Sequence, residues 1–194
     1  MQKLILTTGI LLLGFVFTFE GEVTSGPGPM APHDPMQIEI EHDESFEFKG
    51  IRVVPKAELY VQARVLGAKG YRTGFESDLS PVDLALGWGP MSVESNLEHI
   101  DIRQSGRWYR WKSKNLPIPQ PEVSNHSANM HIIPATPEIA EQLKEIREGQ
   151  IIHFVGKLVN IESGEGWQWN SSMTRTDRGS GACEVVFLEA ISVL

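Results

Sequence analysis

From residue 46 onward, hydrophobic and polar positions alternate over most of the chain. Residues 46–54 (FEFKGIRVV) and 57–66 (AELYVQARVL) keep a two-residue period. Leu59, Val61, Ala63 and Val65 share one face and Tyr60, Gln62 and Arg64 the other, as half-buried strands require. The Pro55-Lys56 step between the two runs reads as their connection. Ser80-Pro81-Val82-Asp83 has the form of a capping box with proline at the first helical position, so a short helix is expected to run up to Gly87-Trp88-Gly89-Pro90. A second short helix is expected at 93–99, leading into a strand over 100–104. The clearest helix start is Thr136-Pro137-Glu138: Thr as N-cap, Pro at N1, an acid in the first turn, then Ile139, Leu143 and Ile146 on one stripe. Gly149 stops it. The next run, 150–161 (QIIHFVGKLVNI), reads as a strand whose central Gly156 marks a bulge or a barrel bend. Further strands are expected at 166–172 and 184–193.

Two N-terminal stretches depart from this pattern. Residues 4–19 (LILTTGILLLGFVFTF) are uncharged and apolar, preceded by Lys3 in a three-residue N-terminus (1–3) and followed by Glu20 and Glu22. Such a run lies between a membrane span and the apolar core of a signal peptide. An uncleaved signal anchor is the leading expectation, because nothing like A-x-A follows the run; a cleaved signal and a buried core helix are the alternatives. Lys3 before the run and acids after it place residues 1–3 in the cytoplasm and the remainder outside. Residues 20–45 are rich in Gly, Pro and acids, with prolines at 27, 29, 32 and 35, and read as an extended tether. His33 and His42 sit in it beside Asp34 and Asp43, where solvated linker charge is favoured over a metal contact.

Residues 46–194 are therefore expected to form one extracytoplasmic α+β domain. Its sheet should be mainly antiparallel and barrel-like, with one clear helix and short helices, behind the N-terminal membrane segment; a helix feeding a bent, Gly-interrupted strand resembles small Greek-key barrels of the OB type. Composition sharpens this. The 18 glycines and 12 prolines argue for a turn-rich sheet and against a helical bundle. Lys and Arg total 17 against 25 Asp and Glu, a net charge of −8, so nucleic acid is an improbable partner. Cys183 is the one cysteine, so no intramolecular disulfide supports the fold.

Three groups carry candidate chemistry. Asn125-His126-Ser127-Ala128-Asn129-Met130-His131 places two imidazoles among amides, so His126 and His131 are candidates for proton transfer. At i and i+5 they converge only in an irregular loop, and no H-E-x-x-H or C-x-x-C accompanies them; no metal and no cofactor is expected. The five tryptophans make the second group: Trp88, Trp108 and Trp111 around Arg110, then Trp167 and Trp169 on one strand face. Exposed, they would form a platform for sugar rings, peptides or bases; buried, they are core. The third is the Gly-rich stretch 171–184, where Arg175 and Asp177 could form an anion site and Cys183 a nucleophile; side-chain turns in a long hairpin are the simpler reading. Glu58, Asp83, Glu94, Glu98 and Glu184 offer no spacing that pairs two carboxylates.

These observations lead to two expectations. The first is a membrane-tethered extracytoplasmic binding or accessory module of the inner membrane in a bacterial-style envelope. It would engage an envelope protein, peptide or glycan through Trp88, Trp108, Arg110, Trp111, Asn129, Trp167, Trp169, Arg175 and Asp177. The alternative is a small envelope hydrolase or transferase using His126 or His131, with Arg175 binding an anionic group.

Overall fold

The computed structural model describes residues 23, 24, 26–42, 45–164, 166–177, 179 and 181–194, so the apolar run at 4–19 lies outside the described residues. The fold is mixed α+β, mostly sheet with few helices. In chain order the elements are β1 (Met36–Glu39), β2 (Phe46–Phe48), β3 (Ile51–Gly70), α1 (Phe75–Leu79), β4 (Val82–Gly87), α2 (Glu94–Leu97), β5 (Asp101–Ser105), β6 (Trp108–Lys112), α3 (Gln120–Asn125), β7 (Ser127–Pro134), α4 (Pro137–Lys144), β8 (Ile151–Glu162), β9 (Gln168–Trp169) and β10 (Glu184–Val193). A 3₁₀ turn at Gly89–Ser92 follows β4.

The large sheet follows the path β1-β3-β4-β7-β10-β8-β9, with β2 also on β3. The β7–β10 pair is parallel, and the other pairs are antiparallel. β3 also pairs with β8 along its length, so β3, β4, β7, β10 and β8 each have a hydrogen-bonded neighbour on both sides. β5 and β6 form a separate hairpin. Alternation explains the main core. Leu59, Val61, Ala63 and Val65 of β3, Leu84 and Leu86 of β4, Met130 and Ile132 of β7, Phe154 and Leu158 of β8, and Val186 and Leu188 of β10 meet in one buried cluster. α4 adds Ile139 and Leu143 to it. The opposite positions feed two smaller clusters, one around Val53, Ile133, Ile161 and Phe187, the other joining Ala85, Met91 and Val123 to the β5–β6 hairpin.

Several expectations change. The two runs at 46–54 and 57–66 are not strands joined at Pro55-Lys56. The turn lies at Lys49-Gly50, where both residues have positive φ (51° and 77°), the geometry of a tight hairpin, and β3 then continues for 20 residues. Pro55 stands at a register shift against β8, where the irregular ladder accommodates the missing N–H. The segment expected as a helix from Ser80 is strand β4. Burying Leu84 and Leu86 outweighs the local capping signal, and the helix falls earlier, at Phe75–Leu79, with Ser80 after its last turn. The expected strand over 166–172 reduces to Gln168–Trp169.

α4 starts as the sequence indicates, the Thr136 hydroxyl accepting from the Ile139 N–H at 3.4 Å. Gly156 lies opposite Leu188, beside the β10 bulge, and a Cβ there would come within 2.5 Å of the Phe187 carbonyl oxygen. In the proline-rich segment, Met36–Glu39 adds an edge strand to β3, and Ala31 is fully buried in the main core.

Candidate functional site

On β4 and β7 the residues alternating with the main core are Asp83, Ala85, Asn129 and His131, brought side by side by the pairings Asp83↔His131 and Ala85↔Asn129. Two polar centres grow from this face.

The first is closed. Asp83 has no solvent exposure, and its Oδ1 accepts from His131 Nδ1 at 2.9 Å and from Arg107 Nη1 at 2.8 Å. Arg107 leaves the β5–β6 turn with φ of 65°. Its guanidinium donates to the Ser80 carbonyl at 2.9 Å, pairs with Glu76 at 3.2 Å, and lies over the Tyr71 and Trp169 rings at 4.2 and 5.3 Å. The Trp169 ring also lies 4.8 Å from His131 and 6.0 Å from Trp167, which meets Phe75 edge-on. An imidazole, a carboxylate and a guanidinium are thus shut beneath aromatic rings. Asp83 Oδ2 has no hydrogen-bond partner among the described residues.

The second centre is open. A groove of about 460 Å³ is walled by Trp108, Tyr109, Arg110 and Trp111 of β6, by Ser127 to Asn129 of β7, and by residues 174–184, including Thr174, Arg175, Asp177, Cys183 and Glu184. That volume suits a small ligand. Trp108 is 42% exposed, while Tyr109 and Trp111 turn inward onto the cluster around Ala85. Glu184 is 1% exposed. Its Oε1 accepts from Arg175 Nη1 at 2.7 Å, and its Oε2 has no partner among the described residues. Burial pushes the Glu184 carboxyl up to about 7, the Arg175 charge opposing the shift and Asp177 adding to it. Arg175 also donates to the Gln37 side chain of β1. The loop carrying Arg175 and Asp177 is held by its own side chains: Ser172 Oγ donates to Asp177 Oδ2 at 2.8 Å and accepts from the Thr174 N–H.

Asn129 joins the two centres. Its Oδ1 accepts from Gln104 Nε2 at 2.7 Å, and its Nδ2 reaches the Arg107 carbonyl at 3.5 Å and Cys183 Sγ at 3.9 Å.

The groove therefore gathers Trp108, Arg110, Trp111, Asn129, Arg175, Asp177 and Cys183 from three separate stretches of sequence. The other candidates fall elsewhere. Trp88 is wholly buried in the main core and offers no surface to a ligand. Trp167 and Trp169 cover the closed centre. His126 and His131 do not converge: five residues of extended chain separate them by roughly 16 Å, and each has its own partners. His126 ends α3, its Nδ1 donating to the Glu122 carbonyl at 2.9 Å and its Nε2 lying 3.9 Å from Asp34. Arg175 is committed to Glu184 and Gln37, so it does not stand free for an anion. The Cys183 thiol is pushed up to about 11, mainly by burial, the Asn129 amide opposing the shift and neighbouring carboxylates adding to it; that disfavours the thiolate a nucleophile needs. Tyr109 and Glu184 are additions that spacing did not indicate, whereas the cation–π role expected of an arginine beside the tryptophan run falls to Arg107. For Glu184, an acid opening an apolar strand was the local sign.

Among the described residues no group of His, Cys, Asp and Glu could hold a metal ion, and no helix is long and apolar enough to cross a membrane. Compared with protein-family models, with curated proteins and with solved structures, the chain matches none.

Proposed function

We propose that this chain is a noncatalytic binding module: a five-stranded barrel of OB type, held outside the cytoplasm by the apolar segment at 4–19, that takes an envelope glycan or peptide in the β6–β7 groove. The pairing pattern supports the barrel. The order β3-β4-β7-β10-β8 with β8 back on β3, one parallel pair, and α4 between the third and fourth strands is that of a small Greek-key barrel. Such barrels bind ligands on their second and third strands and the loops beside them, here β4, β7 and the segments 71–81 and 163–183. Fold alone assigns no function, and the site carries the argument.

The carrying observation is the groove itself, with an exposed indole on one wall and a buried, half-satisfied carboxylate in its lining. A flat aromatic face with a few placed polar groups is how small binding sites divide affinity and orientation. The hydrolase or transferase reading draws less support. Its two histidines are apart, its arginine is engaged, and its thiol is held protonated.

The test uses the full chain in detergent micelles against panels of envelope oligosaccharides and peptides, read by tryptophan fluorescence, with Trp108→Ala as the comparison. A ligand in the groove shifts the wild-type signal, and Trp108→Ala weakens binding at least tenfold. If every ligand found binds Trp108→Ala as well as wild type, the groove is not the site and the reading falls.

A further inference from the structure

Strand β1 ends the large sheet, and among the described residues no strand pairs with its outer edge. The Ile40 N–H donates to the Lys56 carbonyl of β3 at 3.0 Å. By the alternation of an antiparallel ladder, the N–H and C=O groups of Gln37 and Glu39 therefore point away from β3, along that open edge. Met36 and Ile38, opposite Tyr60 and Glu58, are 53% and 50% exposed. Beside them lies a hollow of about 320 Å³ lined by Ile38, Glu39, Ile40, Glu41, His42 and Glu58, with no lysine or arginine in its wall. It shares no lining residue with the β6–β7 groove. We propose that the β1 edge docks an extended, basic segment of a partner protein, which adds as a further strand and seats one lysine or arginine side chain in this hollow.

Charge and shape select that occupant. An open ladder edge offers backbone hydrogen bonds to any extended chain, so the side chains beside it decide which chain pairs. Residues 34–47 carry Asp34, Glu39, Glu41, Asp43, Glu44 and Glu47 and no lysine or arginine. Against them the facing stretch of β3, residues 56–60, sets one lysine, Lys56, and one more acid, Glu58. Two copies of this edge would bring acids against acids, which disfavours a second copy of the chain and an acidic partner alike. A lysine or arginine matches the hollow in both of its parts. Ile38 and Ile40 cover the methylene stem, and the carboxylates of Glu39, Glu41 and Glu58 compensate the charge. Met36 and Ile38 give alternate side chains of the added strand an apolar face to cover.

The experiment is calorimetric titration of the full chain, in nonionic detergent micelles, with three end-capped peptides: Lys-Val-Lys-Val-Lys, Glu-Val-Glu-Val-Glu and Lys-Gly-Lys-Gly-Lys. The Lys-Val peptide binds at least tenfold more tightly than either of the others, because it alone joins positive charge to strand propensity. Glu39→Pro removes one outward N–H and leaves the ladder to β3 complete, and it weakens the Lys-Val peptide at least tenfold. Glu39→Gln removes the charge and keeps the N–H, and it weakens the same peptide only about threefold. The ranking of the peptides needs no variant, so it stands if Glu39→Pro fails to fold. Equal binding of the Lys-Val and Lys-Gly peptides, or a loss in Glu39→Pro no larger than in Glu39→Gln, means that charge alone attracts and overturns strand addition. Binding of the Glu-Val peptide as tight as that of the Lys-Val peptide overturns the basic partner. Self-association of the chain that Glu39→Pro abolishes assigns the edge to a second copy and overturns the proposal, as does the absence of binding by all three peptides.

Discussion

The closed centre around Asp83 and the open one around Glu184 are built from the same parts. Each holds a carboxylate without solvent access, an arginine on one of its oxygens, and a second oxygen with no partner among the described residues. They differ in what lies on top. Over Asp83 the chain folds Arg107, Trp169 and the imidazole of His131, so two donors share Oδ1 and aromatic rings close the space. Over Glu184 there is a groove and an indole that is 42% exposed. The lesson is that a buried charge does not mark a site; access does. The closed centre welds the β5–β6 hairpin onto β4 and β7, whereas the open one ties the loop carrying Arg175 to β10 and β1 beside a groove that stays accessible.

The sharpest way to break that contrast is to remove each carboxylate. Asp83→Ala leaves Arg107 largely buried beside an emptied space, and the loss of a buried ion-pair partner costs about 3–5 kcal/mol. Urea unfolding of the full chain measures it, and a cost under about 1 kcal/mol would mean that the centre is not structural. For Glu184 the effect is read against pH. The folded chain holds that proton up to about pH 7, while an unfolded glutamate releases it near 4.5, so folding takes up a proton in between. The resulting stabilisation is complete below about pH 4.5 and is lost as pH rises through 7, roughly 3 kcal/mol in all. The difference between wild type and Glu184→Gln across that window isolates it; equal pH profiles would show that Glu184 titrates normally and that the open centre is misread.

His131→Ala comes next, at about 1–3 kcal/mol, because Asp83 Oδ1 keeps Arg107 but loses its second donor and Trp169 loses the ring beneath it. His126→Ala, at the end of a six-residue helix and a quarter exposed, should cost less. If removing His131 left stability unchanged or raised it, the ring would be held for something other than stability, and the closed centre would join the open one as a candidate site.

What the sequence revealed follows how local each signal is. The start of α4 is written in three adjacent residues, with the Thr136 hydroxyl, the Pro137 ring and the Glu138 charge all acting within one turn, and it reads correctly without the rest of the chain. At Gly156 the sequence marks the position, but the irregularity lies on the facing strand, between Leu188 and Ala190, and the glycine answers the close approach of Phe187. The helix expected from Ser80 rests on an equally local pattern, but there the burial of Leu84 and Leu86 between two neighbouring strands decides the outcome, and no local rule contains those neighbours. The same holds for the site. Trp108, Asn129, Arg175 and Cys183 are chemically conspicuous one by one, yet their meeting depends on the β7–β10 register and on a hairpin folding back over it. His131 and Asp83 are 48 positions apart. Glu184 looks ordinary in sequence because its unusual acidity comes wholly from the walls around it.

The smallest stability effect is the one that separates the centres most cleanly. Trp108→Ala and Trp169→Ala delete the same side chain from the two sites. Trp169 packs on the cluster around Val53 and Ile133 and faces both His131 and Arg107, so its loss opens space above a buried charge pair and lowers the unfolding midpoint. Trp108 projects into the groove, belongs to no buried cluster, and should change unfolding free energy by no more than about 0.5 kcal/mol. An exposed indole that packs in no buried cluster is free to meet a ligand, so the binding loss at Trp108 should be accompanied by an unchanged unfolding curve. If Trp108→Ala instead unfolds as early as Trp169→Ala, the indole is part of the packing, and the open groove is merely the thinner side of one continuous core.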